Sequence, residues 1–495
     1  MQTHFIMIHW GIVFAMLALI TLIMIVLFNI CQKEHSILRT YPVIAYFRYF
    51  AEYLGVFFRQ FFYARDREEL PFNRADRSWI YEAAKNIDTT IGFGSTRDRR
   101  PLGTIYFVDA PFPVLDPKIV EAQSVTIGQY CRFPYSTRSL INISAMSYGS
   151  ISRNAILALS QGAKMAGCWL NTGEGGLLPY HLESGCDIVA QIGTAKYGYR
   201  DKEGNLSDSR LKEVAALPQV KMFEIKLSQG AKPGAGGILP AVKVTPEIAR
   251  LRDIPAYQDS MSPNRFPEIS NSAELLDFIN HVRDVTGKPT GFKVVLGDYG
   301  WLDDLCTEII KRGEKCAPDF ITLDGAEGGT GAAQMSLVDY MGLPIAESLP
   351  VLVDTLIEYG LRKRIKVIAS GKLVTPGMVA WAFCVGADFV NSARGFMFAL
   401  GCIQALRCHK NTCPTGIATH NPWLERGLDP ENKAVRVHHY VKNIENEVGV
   451  ICHSCGVREP RELKRRHVRI VSEHGKSVSL ADVYPDKEEG VRLRL

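Results

Sequence analysis

Phe320-Ile321-Thr322-Leu323-Asp324-Gly325-Ala326-Glu327-Gly328-Gly329-Thr330-Gly331 reads as a short buried strand running straight into a glycine-rich turn. Its first four residues are aromatic, aliphatic or β-branched, the composition of a strand covered on both faces. A carboxylate and then four glycines follow, so a charged group and tightly folded backbone stand together at the strand's C-terminal end. Seven more runs of this kind occur: Leu140–Met146, Cys168–Thr172, Asp187–Ile192, Met222–Leu227, Gly291–Leu296, Lys366–Ser370 and Asp388–Asn391. Helix-like stretches lie between them, among them Ser152–Ala166, Trp301–Arg312, Glu347–Tyr359 and Pro376–Val385. Eight strands alternating with helices predict an α/β fold, a closed parallel (β/α)8 TIM barrel rather than an open sheet. The longest interval, residues 228–288, is rich in Gly, Pro and Ser and reads as an insertion.

The polar residues follow the same plan. Ser147, Glu174, Gln191, Lys226, Lys293, Asp324 and Lys372 fall at or just after strand ends. In a barrel that rim is where ligands bind, so distant positions converge on one cleft. Gly173-Glu174-Gly175-Gly176 and Lys232-Pro233-Gly234-Ala235-Gly236-Gly237 are further glycine-rich turns on the rim. Ser370-Gly371-Lys372 and Ala393-Arg394-Gly395 follow strands seven and eight, where barrel enzymes commonly place a phosphate. None of these turns ends in Gly-Lys-Ser/Thr, so none is a P-loop.

Past the eighth strand, Gly401-Cys402-Ile403-Gln404-Ala405-Leu406-Arg407-Cys408-His409-Lys410-Asn411-Thr412-Cys413-Pro414-Thr415-Gly416 carries three cysteines six and five positions apart. Iron–sulfur clusters are held by thiolates gathered on tight backbone, often with proline after the last ligand. Three thiolates suit a three-iron, four-sulfur cluster or a four-iron cluster with one open site. The competing readings are buried apolar cysteines and zinc, which usually takes a fourth protein ligand.

These pieces, with Ala145-Met146-Ser147-Tyr148-Gly149-Ser150, Asn171-Thr172-Gly173-Glu174-Gly175-Gly176, Gln229 to Gly237, Gly328-Gly329-Thr330-Gly331-Ala332 and the loop Gly401 to Ala418, stand in a characteristic order. Over roughly residues 100–430 the chain resembles the FMN-binding synthase domain of glutamate synthase, in its stand-alone form. The resemblance implies FMN at the barrel mouth and a 3Fe-4S cluster on Cys402, Cys408 and Cys413. It also implies reduction of 2-iminoglutarate, formed from 2-oxoglutarate and ammonia, to glutamate. On that basis Met146, Ser147, Gln191, Lys226, Lys293, Ser370, Gly371, Lys372, Arg394 and Gly395 are the expected flavin-binding residues. Lys293, Glu174 and Lys232 are the expected catalytic ones. Gly291-Phe292-Lys293-Val294-Val295 matches the family strand that carries a lysine at the flavin edge, where a cation tunes the cofactor's charge. Glu174, Gln191, Lys226 and Lys232 are candidates to orient substrate carboxylates or supply the imine proton.

Two other functions are compatible with the same residues. One is a flavin enzyme acting on another oxo or amino acid, for example forming an N-alkylglutamate. The other is a non-catalytic electron-transfer subunit of a membrane complex. An inosine-monophosphate-dehydrogenase-like enzyme would need a cysteine in the loop after strand six, and Gly329 to Met335 has none. Full-length glutamate synthases carry a glutaminase domain ahead of the barrel, with an N-terminal cysteine nucleophile. Here the sequence opens Met1-Gln2 and residues 1–100 have no room for it. The expectation is an ammonia supply or a separate glutaminase, and electrons from ferredoxin or a membrane donor.

The 495 residues are 46% hydrophobic and 22% charged, ordinary for a globular chain. A net charge of +5 and no long basic run argue against a nucleic-acid partner. The 12 scattered cysteines read as reduced intracellular thiols. No Asp, Glu, Lys or Arg precedes Lys33, and Phe5 to Ile30 is apolar, long enough as a helix to cross a hydrocarbon core of about 30 Å. Lys33, Arg39, Arg48, Arg59, Arg65 and Arg67 all follow the span, which predicts a single-pass membrane protein with a cytoplasmic catalytic domain. Aromatics at 46, 50, 53, 57 and 61 predict an amphipathic helix at the membrane surface. The expected organisation is an anchor over 1–32, a juxtamembrane and wrapping segment over 33–100, the barrel with its cluster loop over 101–430, and a helical extension over 431–495. In that extension Cys452 and Cys455 read as structural cysteines. Glu459 to His467 reads as a charged, solvated helix able to steer an acidic ferredoxin.

Overall fold

Gln2–Cys31 forms one helix, α1, because nothing in it breaks a run of strong helix-compatible apolar residues. The computed structural model describes residues 2–115 and 122–494. The chain divides into two compact units, Met1–Ala75 and Asp76–Leu495. In the first, Ile6–Cys31 has a mean hydropathy of 3.0 in its most apolar window and none of that window is buried. At about 1.5 Å per residue it exceeds the length a bilayer core requires. The side chain of Asn29, 1% exposed, donates to Pro42 O at 2.7 Å and to Tyr46 Oη at 3.1 Å, tying the following turn down. Helix α2, Ala45–Phe58, runs into a wider π-helical turn at Arg59–Tyr63. Of the aromatic positions expected from the spacing, Tyr46, Phe50, Tyr53 and Phe61 are exposed and Phe57 is half-buried.

The second unit is built on eight parallel strands: β1 Ile141–Ile143, β2 Trp169–Asn171, β3 Asp187–Ile192, β4 Val220–Lys226, β5 Thr290–Val294, β6 Phe320–Asp324, β7 Lys366–Ser370 and β8 Phe389–Ser392. They close into a barrel in chain order, with β8 pairing back onto β1 through Val390↔Ile141 and Ser392↔Ile143. The register of β6 on β7 runs from Phe320↔Lys366 to Asp324↔Ser370, so both strands deliver their polar ends to the same rim. Helices between and beyond the strands include α3 Arg153–Ala166, α4 Pro246–Arg252, α5 Ser272–Thr286, α6 Gly300–Arg312, α7 Ile345–Glu358, α8 Pro376–Val385, α9 Arg394–Leu400 and α10 Pro430–Ser454. Helix α3 starts where Ser152 Oγ accepts from Ala155 N and stops at Gly167, which adopts φ +76°.

The floor of the barrel is apolar. A hairpin of Val125–Ile127 and Tyr135–Thr137 inserts Ile127 and Tyr135 among Trp169, Val189, Met222, Phe320, Ile368 and Phe389. Trp169 meets Phe389 edge-on at 5.1 Å between centroids. Just before β6, the wholly buried Asp319 holds Arg283 and Arg364, each at 2.9 Å.

Ile105–Phe107 pairs antiparallel with Val468–Val471, joining the two ends of the second unit. Helix α10 packs along α3, and Gly162 permits the approach, since a Cβ there would sit 2.5 Å from Val437. Cys452 and Cys455 are buried. Glu459 to His467 differs from expectation. It is two short 3-10 turns, Pro460–Glu462 and Arg465–His467, rather than a solvated helix. Arg465 turns inward to Asp354 at 2.5 Å and Leu463 is 1% exposed, so burial of these side chains breaks the helical path.

Candidate active site

The rim opposite the floor gathers charge. Glu174, three residues past β2, accepts from Lys226 Nζ, the last residue of β4, at 2.6 Å. The loop after β4 then folds over this pair. A Cβ on Gly237 would lie 2.5 Å from Glu174 Oε1, so only glycine lets the backbone come down on the carboxylate. In the same loop Lys232 is 2% exposed, with its Nζ 3.5 Å from Ala332 O. Arg252 closes the other side from the end of α4. Its Nη2 donates to Tyr148 O at 2.7 Å and its guanidinium stacks over the Tyr197 ring at 5.2 Å.

Electrostatics here are lopsided. Burial by itself raises the Glu174 carboxyl, but Lys226, Lys232 and Arg252 outweigh it and hold the pKa at about 2. Burial lowers the Lys232 ammonium to about 8, with Glu174 resisting and Lys226 adding to the drop. Three cations therefore surround one carboxylate, and the buried Arg252 Nε has no hydrogen-bond partner among the described residues. Such an excess of buried positive charge fits a ligand bearing carboxylates.

A second cluster lies at the ends of β5 to β8. Lys293, on β5 and 5% exposed, sits 3.4 Å from Asp324 Oδ2 at the end of β6. The same Asp324 oxygen accepts from Gly230 N at 3.0 Å. Gly371 follows β7 with φ +126°, and a Cβ there would meet Gly325 N at 2.8 Å. Arg394 donates to Glu327 O, and Gly329 packs against its side chain. Burial lowers the Lys372 ammonium, and the neighbouring Arg394 charge lowers it further. Ser370, Gly371, Lys372, Arg394 and Gly395 follow β7 and β8, and the Lys372 and Arg394 charges repel each other while Glu327 offsets both.

The remaining expected residues divide. Ser147 Oγ pairs with Ser150 Oγ at 2.8 Å, and Met146 is half-buried beside it on the loop after β1. Gln191 is turned into the barrel, where its Nε2 donates to Glu224 Oε1 at 2.7 Å. Glu224 also accepts from Asn171 Nδ2 at 2.8 Å and Thr322 Oγ1 at 2.6 Å. Sequence reasoning missed Glu224 and Arg252. The signal for Glu224 was a carboxylate alternating inward within Met222-Phe223-Glu224-Ile225-Lys226. Nothing in α4 marked Arg252, whose role comes from a contact about a hundred residues away in sequence.

The cysteine loop lies beside the loop after β1. Gly401 at φ +106° ends α9, and Gln404, Leu406 and Asn411 adopt φ of +56°, +55° and +58°, curling the chain back on itself. Gln404 N donates to Cys402 Sγ at 3.4 Å, Thr415 Oγ1 lies 3.4 Å from Cys413 Sγ, and Tyr81 Oη donates to Cys402 O at 2.5 Å. Burial pushes the Cys402 thiol up to about 12, and the charges of Cys408 and Cys413 add to it, so the three sulfurs feel one another. Among the described residues no three His, Cys, Asp or Glu side chains gather as a single-ion site. Lys243 Nζ donates to Ser150 O at 2.5 Å and to Cys408 O at 3.2 Å, and His420 Nε2 lies 2.9 Å from Gly149 O. These bonds couple the cysteine loop to the barrel mouth.

Comparison with known proteins bears on this arrangement. Residues 102–458 match the family model described as the conserved region in glutamate synthase. Glutamate synthase large subunit-like protein YerD of Bacillus subtilis is 42% identical over 489 residues, covering 91% of this chain and 92% of that protein. Archaeal-type glutamate synthase [NADPH] of Thermotoga neapolitana is 32% identical, covering 70% of this chain and 66% of its own length. Archaeal glutamate synthase [NADPH] of Methanocaldococcus jannaschii is 34% identical, covering 67% and 61%. Among solved structures, a flavocytochrome b2 variant with sulfite bound aligns over 80% of this chain and 83% of its own, at 15% identity and a TM-score of 0.47.

Proposed function

The chain belongs to the glutamate synthase family, and from that premise we propose that it is an FMN- and 3Fe-4S-dependent oxidoreductase reducing 2-iminoglutarate, formed from 2-oxoglutarate and ammonia, to glutamate. The observation that carries the reading is the buried excess of cations on the rim, where Lys226, Lys232 and Arg252 face the single carboxylate of Glu174. 2-Oxoglutarate brings two carboxylates, the chemistry this excess calls for.

The residues present fit a flavin mononucleotide. Lys372 and Arg394, with the close backbone at Gly371 and Gly395, would hold its phosphate, and Lys293 would stand as the cation at its ring edge. Met146, Ser147 and the backbone around Gly173 would line the ring, while Gln191 supports the pocket from within through Glu224. Cys402, Cys408 and Cys413, carried on one loop that curls back at Gln404, Leu406 and Asn411, would hold the cluster. When bound, FMN supplies hydride and the cluster supplies single electrons.

The chain's own part is binding, orientation and proton supply. Arg252 and Lys226 bind and orient substrate carboxylates, and Glu174, held ionised, fixes Lys226. Lys232, with an ammonium pKa of about 8, can donate a proton to an imine nitrogen near neutral pH. The glycine-rich loop over Glu174 keeps water off the pair. Helix α1 anchors the protein in the membrane with the catalytic unit in the cytoplasm, the basic flank supporting that orientation. Electrons come from ferredoxin or a membrane donor, and nitrogen from ammonia or a separate glutaminase.

The test is anaerobic. Detergent-solubilised full-length protein is assayed for FMN and iron, reduced chemically, then given 2-oxoglutarate and ammonium. Flavin reoxidation with one glutamate per flavin supports the proposal. A flavin that stays reduced contradicts it. Turnover with methylamine in place of ammonium would favour N-alkylglutamate formation.

A further inference from the structure

Lys243 is 1% exposed, yet among the described residues no carboxylate pairs with it. Its hydrogen bonds run to backbone carbonyls, Ser150 O at 2.5 Å and Cys408 O at 3.2 Å. Two other buried lysines of the rim are served differently. Lys226 has Glu174 at 2.6 Å and Lys293 has Asp324 at 3.4 Å. An isolated buried ammonium costs several kcal/mol, which two carbonyl dipoles offset only in part. The bond to Cys408 O places the ammonium directly against the cysteine loop.

We propose that Lys243 is the counter-charge of the three-cysteine centre, neutralising thiolate charge at Cys408 and Cys413 and stabilising the centre's one-electron-reduced state. This rests on the reading that Cys402, Cys408 and Cys413 hold an iron–sulfur cluster. Reduction moves one electron from the external donor to the centre. The donor is oxidised by one electron, no proton is taken up, and the centre gains one unit of negative charge. A fixed ammonium beside it stabilises that added charge and raises the reduction potential. Lys243 also bonds Ser150 on the loop after β1, so the charge sits between the cysteine loop and the barrel mouth. Its place in the middle of the insertion, in Ala241–Lys243, explains why the insertion packs on the cysteine loop, where Asn411 Nδ2 donates to Val242 O at 3.1 Å.

The test uses the full-length protein, prepared anaerobically, with iron content and a redox titration of the cluster read by low-temperature electron paramagnetic resonance. Lys243→Gln keeps a donor for the two carbonyls and removes the charge, whereas Lys243→Arg keeps the charge. The expected result is a cluster in both variants. In Lys243→Gln the reduction equilibrium constant falls at least tenfold, about 59 mV for a one-electron couple, and in Lys243→Arg it stays near wild type. Loss of iron from Lys243→Gln with full loading of Lys243→Arg also supports a counter-charge. An unchanged potential in loaded Lys243→Gln, or loss of iron from both variants, overturns it. If the wild-type protein itself binds no iron, the cluster reading fails first and takes this inference with it.

Discussion

The floor and the mouth of the barrel both bury charge, and they do so to opposite ends. At the floor, Asp319 binds Arg283, and Arg283 spends its remaining donors on Asn280, Lys315 O and Ala317 O. Neighbouring backbone carbonyls take most of these donors, although Arg364 Nη1 and Asp319 Oδ1 have no hydrogen-bond partner among the described residues. At the mouth, three cations converge on Glu174, and among the described residues the Arg252 Nε has no hydrogen-bond partner. A charge satisfied by backbone serves the fold. A charge left over in a buried cleft is held for something that arrives from outside.

That contrast can be broken from either side. The largest expected effect is on the floor: Asp319→Ala strands two buried guanidinium groups and should cost about 3–5 kcal/mol of stability. A urea midpoint reads the loss, while the remaining folded protein keeps its affinity for 2-oxoglutarate. At the mouth, Arg252→Met removes a charged hydrogen-bonding group and should weaken 2-oxoglutarate binding by about 1.5–3 kcal/mol, with little change in the midpoint. A titration of the flavin spectrum measures it. Between the two levels, Glu224→Gln leaves one of the donors from Asn171, Gln191 or Thr322 facing an amide N–H. It should cost about 1–3 kcal/mol, read as a lower melting temperature with flavin content retained.

The smallest effect concerns pH. The folded Lys232 ammonium titrates at about 8 against an ordinary 10.5. Between those values the unfolded chain binds the extra proton, so this residue makes stability rise with pH through that window and costs stability below it. Lys232→Met should therefore flatten the rise. If Lys232 donates the imine proton, kcat in the wild type falls above a pH of about 8, and in Lys232→Arg that limb moves upward.

Much of this architecture was legible in the sequence, for a physical reason. A strand buried on both faces is mostly apolar, and apart from residues paired inside the barrel such as Glu224 its polar residues gather near its ends. Asp187–Ile192, Phe320–Asp324 and Lys366–Ser370 were therefore legible with their observed bounds. Leu140–Met146 was read too long, because only Ile141–Ile143 pairs before the chain turns into the loop of Ser147. Lysines and glycines next to strand ends were found because the strands point at them. Arg252 and Lys243 were not, since an insertion has no strand to aim it and their partners Tyr148, Ser150 and Cys408 lie far away in sequence. Glu459 to His467 was misread by equating charge with exposure. Arg465 is buried because Asp354 waits for it on α7.

The central claim is that the leftover cationic charge at the mouth exists to bind a dicarboxylate. Its most direct test is the binding of 2-oxoglutarate to the full-length flavin-loaded protein, compared with a monocarboxylate such as pyruvate, in wild type and Arg252→Met. The account predicts that wild type favours 2-oxoglutarate by tenfold or more and that Arg252→Met loses most of this preference. Equal affinity for the two acids in wild type, or a preference untouched by the substitution, would contradict it.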